Sequence, residues 1–330
     1  MSTRVTSGQR SAPVTDPVAE ARARFTAAVH AGLAKPRKRL PTEYLYDERG
    51  SALFDAICEL PEYYPTRTEL GIMRTHATAM ARALGVDATL VEYGSGSSTK
   101  TRLLLDAMVR PHAYVPVDIS AEHLETACEQ LRAEYPGLRI AEVAADFTRP
   151  FDLPVRSVGP RALYFPGSTI GNFEPAAATA LLQQMARQAG PDGSVLIGVD
   201  LRKSAEVLEP AYDDAAGVTA EFNLNLLHRI ARELGGDLDP ARFRHRAYFD
   251  AEHGRIVMTL VSTCDQLVTV AGRRFSFAQG EAVTTEYSHK YTLDGFAELA
   301  AAAGLRVAQV WTDGAGWFSV QHLVPARPRP

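Results

Sequence analysis

Residues 90 to 101 read "LVEYGSGSSTKT". An apolar run stops at Gly94, a glycine-serine turn follows, and a helical pattern with Leu103, Leu104, Leu105 and Met108 comes next. A strand that ends in such a turn and feeds a helix opens many nucleotide-binding α/β sheets. This turn is incomplete. A dinucleotide turn has the form G-x-G-x-x-G, and its third glycine lets the helix pack close while its N-terminus holds pyrophosphate. Here the three positions are Gly94, Gly96 and Thr99. Taken alone, the pair of glycines reads equally well as a plain tight turn.

The surrounding chain turns that ambiguity into a fold. "TLVEYG", "AYVPVDIS", "RIAEVAADF", "RALYFPGST" and "GSVLIGVDL" are five apolar strand candidates between residues 89 and 201. Helical patterns separate them, one reaching about Tyr135 and one spanning 175 to 189. Strand and helix in alternation imply right-handed βαβ units and a parallel sheet. Upstream, a helix is expected over 19 to 34, then a loop. A second helix starts near Ser51 and is ended by Pro61. A third restarts at Pro65, with Thr66 and Glu69 as a capping box, and runs to about Leu84. The alternation breaks after residue 200. Residues 204 to 250 read as mostly helical and 255 to 290 as β-rich. "TLDGFAELAAAAG" is then a helix, and "LRVAQVWTD" with "WFSVQHLV" forms a terminal strand pair.

Composition bounds the function. The chain has 330 residues, 46% hydrophobic and 22% charged, an ordinary globular make-up. A net charge of −4 without any Lys/Arg block offers nothing to nucleic acid. Cys58, Cys128 and Cys264 are far apart and lack metal-ligand spacing, so they read as small buried hydrophobes in a reducing cytoplasm. Residues 1 to 18 have no apolar signal core and are expected to be a disordered tail. No apolar run of about 18 residues suggests a membrane span. The Asp213-Asp214 pair reads as solvated acids rather than a metal site.

Three further features narrow the ligand. Asp118 closes the second strand, about where a carboxylate meets ribose hydroxyls. Asp146 and Phe147 close the third, and could bond an adenine amino group and face its ring. Lys100 sits in the first turn of a helix, where a cation opposes the macrodipole, so it is expected to grip a carboxylate. Ribose, adenine and a free carboxylate without pyrophosphate describe S-adenosylmethionine. No metal is expected.

"LPEYYPTRTE", "YGSGSSTKT", "FPGSTIGNF", "AYDDAAGVTAEFN" and "TEYSHKY" together resemble the L-histidine Nα-methyltransferases of ergothioneine biosynthesis, over roughly residues 20 to 325. Tyr93 departs from the family's usual aliphatic residue, with strand packing as its expected role. The resemblance implies a Rossmann-like class I methyltransferase sheet with a second, smaller α+β substrate-binding domain. Residues 19–65 and 201–290 would form the substrate-binding domain, and 66–200 with 291–330 the S-adenosylmethionine-binding domain. It also implies trimethylation of the α-amino group of L-histidine to hercynine. Gly94, Lys100, Asp118, Asp146 and Phe147 would hold the methyl donor. Asn172 and Tyr212 would meet the histidine carboxylate. Tyr46 and Tyr63 would lie at the amino end. Tyr46 is the catalytic candidate, able to receive the amine's proton directly or through water, although an ordinary phenol is a poor base at about pH 7 and the route of the proton stays open. Glu286 and Ser288 would face the imidazole, with Met258 nearby.

The residues give independent reasons for some of this. Glu286 and Ser288 are two apart on a strand candidate, hence on one face. A carboxylate and a hydroxyl suit a ring with one donor and one acceptor. Asn172 ends the fourth strand at the sheet edge where ligands bind. Tyr46, Tyr63 and Tyr64 form an aromatic group suited to cations. Three other readings stay open at this point: methylation of another amino acid such as tryptophan, an NAD-dependent oxidoreductase, and a non-catalytic S-adenosylmethionine binder. A monomer is expected.

Overall fold

The computed structural model describes residues 16–95, 99–119 and 121–326. Most of the expected N-terminal tail, and Gly96 of the turn, lie outside these. Pro17 and Val18 do not belong to a tail. They open helix α1 (Pro17–Leu33), whose first turn is capped by the Asp16 carboxylate accepting from the Val18 amide at 3.0 Å. Helix α2 (Glu48–Glu59) is capped by Asp47, and α3 (Tyr64–Leu84) begins with Pro65 in its first turn. The expected capping box is absent, because no side chain caps α3 and Glu69 is buried instead.

The sheet then builds as the alternation requires: β1 (Thr89–Tyr93), α4 (Thr99–Ala107), β2 (Ala113–Asp118) and α5 (Ala121–Glu134). The third expected strand is realised as two short pieces, β3 (Arg139–Ile140) and β4 (Val143–Ala144), both pairing with β2. β5 (Arg161–Phe165), α6 (Pro175–Ala189) and β6 (Ser194–Asp200) follow. All seven residues of β6 are buried, as expected of a strand covered on both faces.

Beyond Asp200 the chain forms a short helix α7 (Ala205–Leu208) and a longer one, α8 (Val218–Leu234). The helical expectation fails after that. Residues 243–250 are a strand, β7 (Phe243–Asp250), which lies at the edge of an antiparallel sheet with β8 (Arg255–Ser262) in its middle. A hairpin of β9 (Gln266–Val270) and β10 (Arg273–Phe277) intervenes before β11 (Ala282–His289) completes that sheet. Helix α9 (Leu293–Ala302) and the antiparallel pair β12 (Leu305–Thr312) and β13 (Phe318–Pro325) return to the first sheet.

The order across the large sheet is β12-β13-β6-β5-β1-β2-β3, with β13 antiparallel to β6. This is the arrangement of a Rossmann-like class I methyltransferase sheet. One face packs Leu90, Tyr114, Tyr164 and Leu196 against α3, α4 and α5. The other packs Val91, Val115, Leu163 and Ile197 against α6 and α9. Alternate residues of each strand thus serve opposite layers. A third core joins the N-terminal helices to the later insertion: Phe25, Val29, Leu45 and Ile57 pack with Leu226, Ile230, Met258 and Phe275.

Candidate active site

Strand order reverses between β1 and β5, the point at which such sheets form a ligand-binding crevice at their carboxyl ends. Gly94 leaves β1 at φ +71, a left-handed conformation that glycine adopts freely, and its amide donates to the Val117 carbonyl at 2.8 Å. A methyl group added there would point at the Phe147 ring, 3.8 Å away. Phe147 is held in place by Tyr93, whose ring stacks on it with centroids 5.3 Å apart at 21°. Tyr93 therefore does more than pack the strand: it fixes the wall of the crevice. Asp118 ends β2, and Asp146 follows β4. The Asp146 carboxylate accepts from the Thr148 amide at 2.9 Å and hydroxyl at 2.5 Å, with Arg149 at 3.3 Å.

Lys100 has a partner from within the chain. Its Nζ lies 2.5 Å from Oε2 of Glu69, a buried carboxylate on α3. Glu69 also accepts from the Gly167 amide at 2.9 and 3.1 Å. Any side chain at Gly198 would collide with it, since a Cβ there falls 2.2 Å from Oε1. The cation in the first turn of α4 is thus tied to α3 and to the loop after β5.

A second concavity lies beside the three-stranded sheet, lined among others by Tyr46, Phe54, Tyr63, Tyr212, Phe222 and Glu286. Tyr46 meets Phe54 and Phe222 edge-on at 5.6 and 5.4 Å, and Tyr63 meets Tyr212 at 6.1 Å. Met258 on β8 is the cross-strand partner of Glu286 on β11, so both face the same side. Ser288 lies two residues further along and is also buried.

Glu286 is the electrostatic anomaly of this cavity. It is buried, its Oε2 has no hydrogen-bond partner, and burial pushes its carboxyl from 4.5 up to about 7 despite the pull of Lys290. Such an oxygen is costly unless something donates to it. Burial also raises the phenols of Tyr46 and Tyr63 well above their ordinary value, with Tyr212 and Glu286 adding to the effect.

Lys290 lies behind Tyr212, one of the residues that line the cavity, with Nζ 4.6 Å from its ring centroid. Its side chain is wholly buried, and Nζ lies 2.7 Å from the Tyr212 hydroxyl, 2.8 Å from Ser288 Oγ and 2.8 Å from Asp200 Oδ2. Tyr212 and Ser288 are themselves 2.9 Å apart. Asp200 also accepts from Tyr64 at 2.7 Å and Lys203 at 2.6 Å, and its amide donates to Ser168 Oγ. Burial brings the Lys203 ammonium down to about 8. Asn172 ends a 3₁₀ turn, Thr169–Asn172, that packs against both β6 and β11. The contact is close because Gly171 has no side chain: a Cβ there would fall 2.7 Å from the His289 carbonyl. Asp214 accepts from the Val218 and Thr219 amides at 3.0 and 2.8 Å and so starts α8.

A profile of histidine-specific, S-adenosylmethionine-dependent methyltransferases matches residues 25–325. The chain belongs to that family. It is an N-methyltransferase that uses S-adenosylmethionine. A histidine N-alpha-methyltransferase of Mycolicibacterium smegmatis is 44% identical, covering 90% of this chain and 93% of its own. The one from Mycobacterium tuberculosis is 42% identical over 88% and 92%. An L-tryptophan methyltransferase of Psilocybe serbica is 28% identical over 90% and 92%.

In this histidine-specific methyltransferase the sequence-based candidates fall in two places. Gly94, Asp118, Asp146 and Phe147 stand at the end of the first sheet, Tyr46, Tyr63, Tyr212, Met258 and Glu286 line the cavity, and Ser288 lies behind it on Tyr212. Sequence reasoning overlooked Glu69, Asp200, Lys203 and Lys290, and the aromatic rings of Phe54 and Phe222. Lys290 had a signal: Glu286, Ser288 and Lys290 keep one alternation. Asp200 had another, as the acid closing an otherwise uncharged strand, Ser194–Asp200. Of the cysteines, Cys128 is buried while Cys58 and Cys264 are half-exposed. Among the described residues no helix is long and apolar enough to cross a membrane.

Proposed function

We propose that this enzyme methylates the α-amino group of L-histidine three times to give hercynine, the opening reaction of ergothioneine biosynthesis. The observation that carries this reading is the buried, unpartnered Oε2 of Glu286, which asks for an N–H donor such as an imidazole. Ser288 beside it offers a hydroxyl to the second ring nitrogen. Asn172 and Tyr212 hold the substrate carboxylate in this reading. Residues 19–65 and 201–290 act as the substrate-binding domain, and 66–200 with 291–330 as the donor-binding domain. We further propose that the enzyme works as a cytoplasmic monomer.

The crevice suits the methyl donor: an open left-handed glycine at the end of β1, a ring wall of Phe147 on Tyr93, and carboxylates at Asp118 and Asp146 for ribose and adenine donors. S-adenosylmethionine supplies, when bound, a methyl group activated by its sulfonium. What the chain contributes is positioning, which dominates a reaction of this kind. Tyr46, Phe54 and Phe222 form an aromatic wall that favours a cationic ammonium as methyls accumulate. Tyr46 keeps its proton, since burial raises its phenol, and it therefore meets the amine as a hydrogen-bond partner. The amine must present its lone pair already unprotonated.

Purified protein, S-adenosylmethionine and an equimolar pool of the twenty amino acids, followed by mass spectrometry, test the reading. Histidine alone should gain three methyl groups. Methylation of tryptophan in its place would retain the donor site and discard the imidazole assignment.

A further inference from the structure

Lys290 meets the cavity through Tyr212, whose ring its Nζ overlies at 4.6 Å, and it touches both hydroxyls proposed to grip opposite ends of the substrate. An ammonium has three protons to donate. Those of Lys290 face the Tyr212 hydroxyl at 2.7 Å, Ser288 Oγ at 2.8 Å and Asp200 Oδ2 at 2.8 Å, so all three are spent. Lys290 accepts nothing. The two hydroxyl oxygens therefore receive from it and must direct their own protons elsewhere. Tyr212 and Ser288 are 2.9 Å apart, which uses one of their two protons. One proton is left for a partner outside the triangle.

We propose that Lys290 is a positioning residue for the amino-acid substrate, which turns Tyr212 and Ser288 into a donor of one proton and sets a positive charge behind the substrate carboxylate. This rests on the histidine reading above. The charge is sustained by Asp200, which is buried to the same degree and held from its other side by Lys203 and Tyr64. Lys290 is accordingly kept protonated well above the ordinary lysine range. A dry interior strengthens such bonds and polarises the hydroxyls that accept them. A geometric consequence follows. While Tyr212 and Ser288 stay bonded the triangle has one proton to give and serves one end of the substrate; serving both ends, as the histidine reading requires, opens the Tyr212–Ser288 bond. The two ends of the substrate are therefore read by one coupled device.

The test compares L-histidine with L-histidinamide, which keeps the ring and the amine and lacks the negative carboxylate. Calorimetric affinities are measured with S-adenosylhomocysteine saturating, alongside kcat and KM. In Lys290→Met, L-histidine should bind about 10-fold more weakly or worse, the loss expected for a charge-assisted hydrogen bond. Histidinamide should lose far less, the effect on L-histidine should fall in KM more than in kcat, and S-adenosylhomocysteine affinity should stay unchanged. Asp200 left alone could prevent that variant from folding, so Asp200→Asn/Lys290→Met is measured in parallel and should show the same loss of preference. Equal losses for both ligands, or no loss for either, would overturn the proposal by reducing Lys290 to a structural role. If the wild-type protein binds neither ligand, the histidine reading fails and takes this one with it. If it binds L-histidine and the preference survives both substitutions, only this one fails.

Discussion

Glu286 keeps its carboxyl where the charged form is disfavoured, and that has a consequence for the protein without ligand. The folded carboxyl titrates at about 7 and an exposed glutamate near 4.5. Between those values the folded state binds the proton and the unfolded state does not. This contribution to stability is thus present in full below pH 4.5 and is lost as pH rises through about 7. The displacement corresponds to roughly 3 kcal/mol. Urea titrations of wild type and Glu286→Gln at about pH 5 and about pH 8 read it directly, because the difference between the two proteins cancels every other titrating group. Wild type should lose about 3 kcal/mol more than the variant over that range. An identical pH dependence would show that Glu286 is solvated. At this scale the sequence was partly legible. Glu286 and Ser288 came from the family resemblance, and their alternation on one strand gave it a physical reason. Lys290 continues the same alternation and was passed over, since a lysine at a strand end is ordinarily solvated and nothing local reveals that Asp200 waits beneath it.

Individual elements carry the site through a close approach. The 3₁₀ turn bearing Asn172 lies against β11 because Gly171 presents only hydrogen to the His289 carbonyl. Gly171→Ala should push β11, and with it Glu286 and Ser288, away from the turn. The expected cost is about 1–3 kcal/mol of stability, as for other overpacked positions. KM for L-histidine should rise several-fold while S-adenosylhomocysteine affinity stays near wild type. A variant with wild-type KM and melting temperature would mean that the turn yields without moving the strand. The buried strands were easy to read, because the interiors of β5 and β6 are continuous apolar runs and that of β1 is interrupted only by Glu92. β7 was missed for the opposite reason: only Phe243 and Ala247 are buried along it, so the period of an edge strand is faint. The capping box at Thr66 and Glu69 had the right residues, yet Lys100 and the Gly167 amide draw Glu69 inward.

At the scale of the molecule, the N-terminal helices share one core with the insertion that follows β6. Helix α1 contributes Phe25, Val29 and Leu33, all buried, and Phe25 also lies under the Arg229 guanidinium at 5.2 Å. Three such side chains are worth roughly 6 kcal/mol together, which is comparable to the whole stability of many domains. Removing residues 17–33 should therefore abolish the single cooperative unfolding transition seen by near-ultraviolet circular dichroism and urea titration. A sharp transition in the shortened protein would show that the insertion folds without α1. This association was not readable from periodicity, since it links segments separated by the entire first half of the large sheet. The position of β13 has a consequence of another kind. During synthesis the other strands of the large sheet leave the ribosome before it does, yet it occupies an interior place between β6 and β12. Until it inserts, β6 presents a bare edge of apolar residues to neighbouring nascent chains, the kind of edge that recruits foreign strands. The interval of greatest risk for this enzyme thus runs from the emergence of β6 to that of β13, and chaperone capture within it would act on β6.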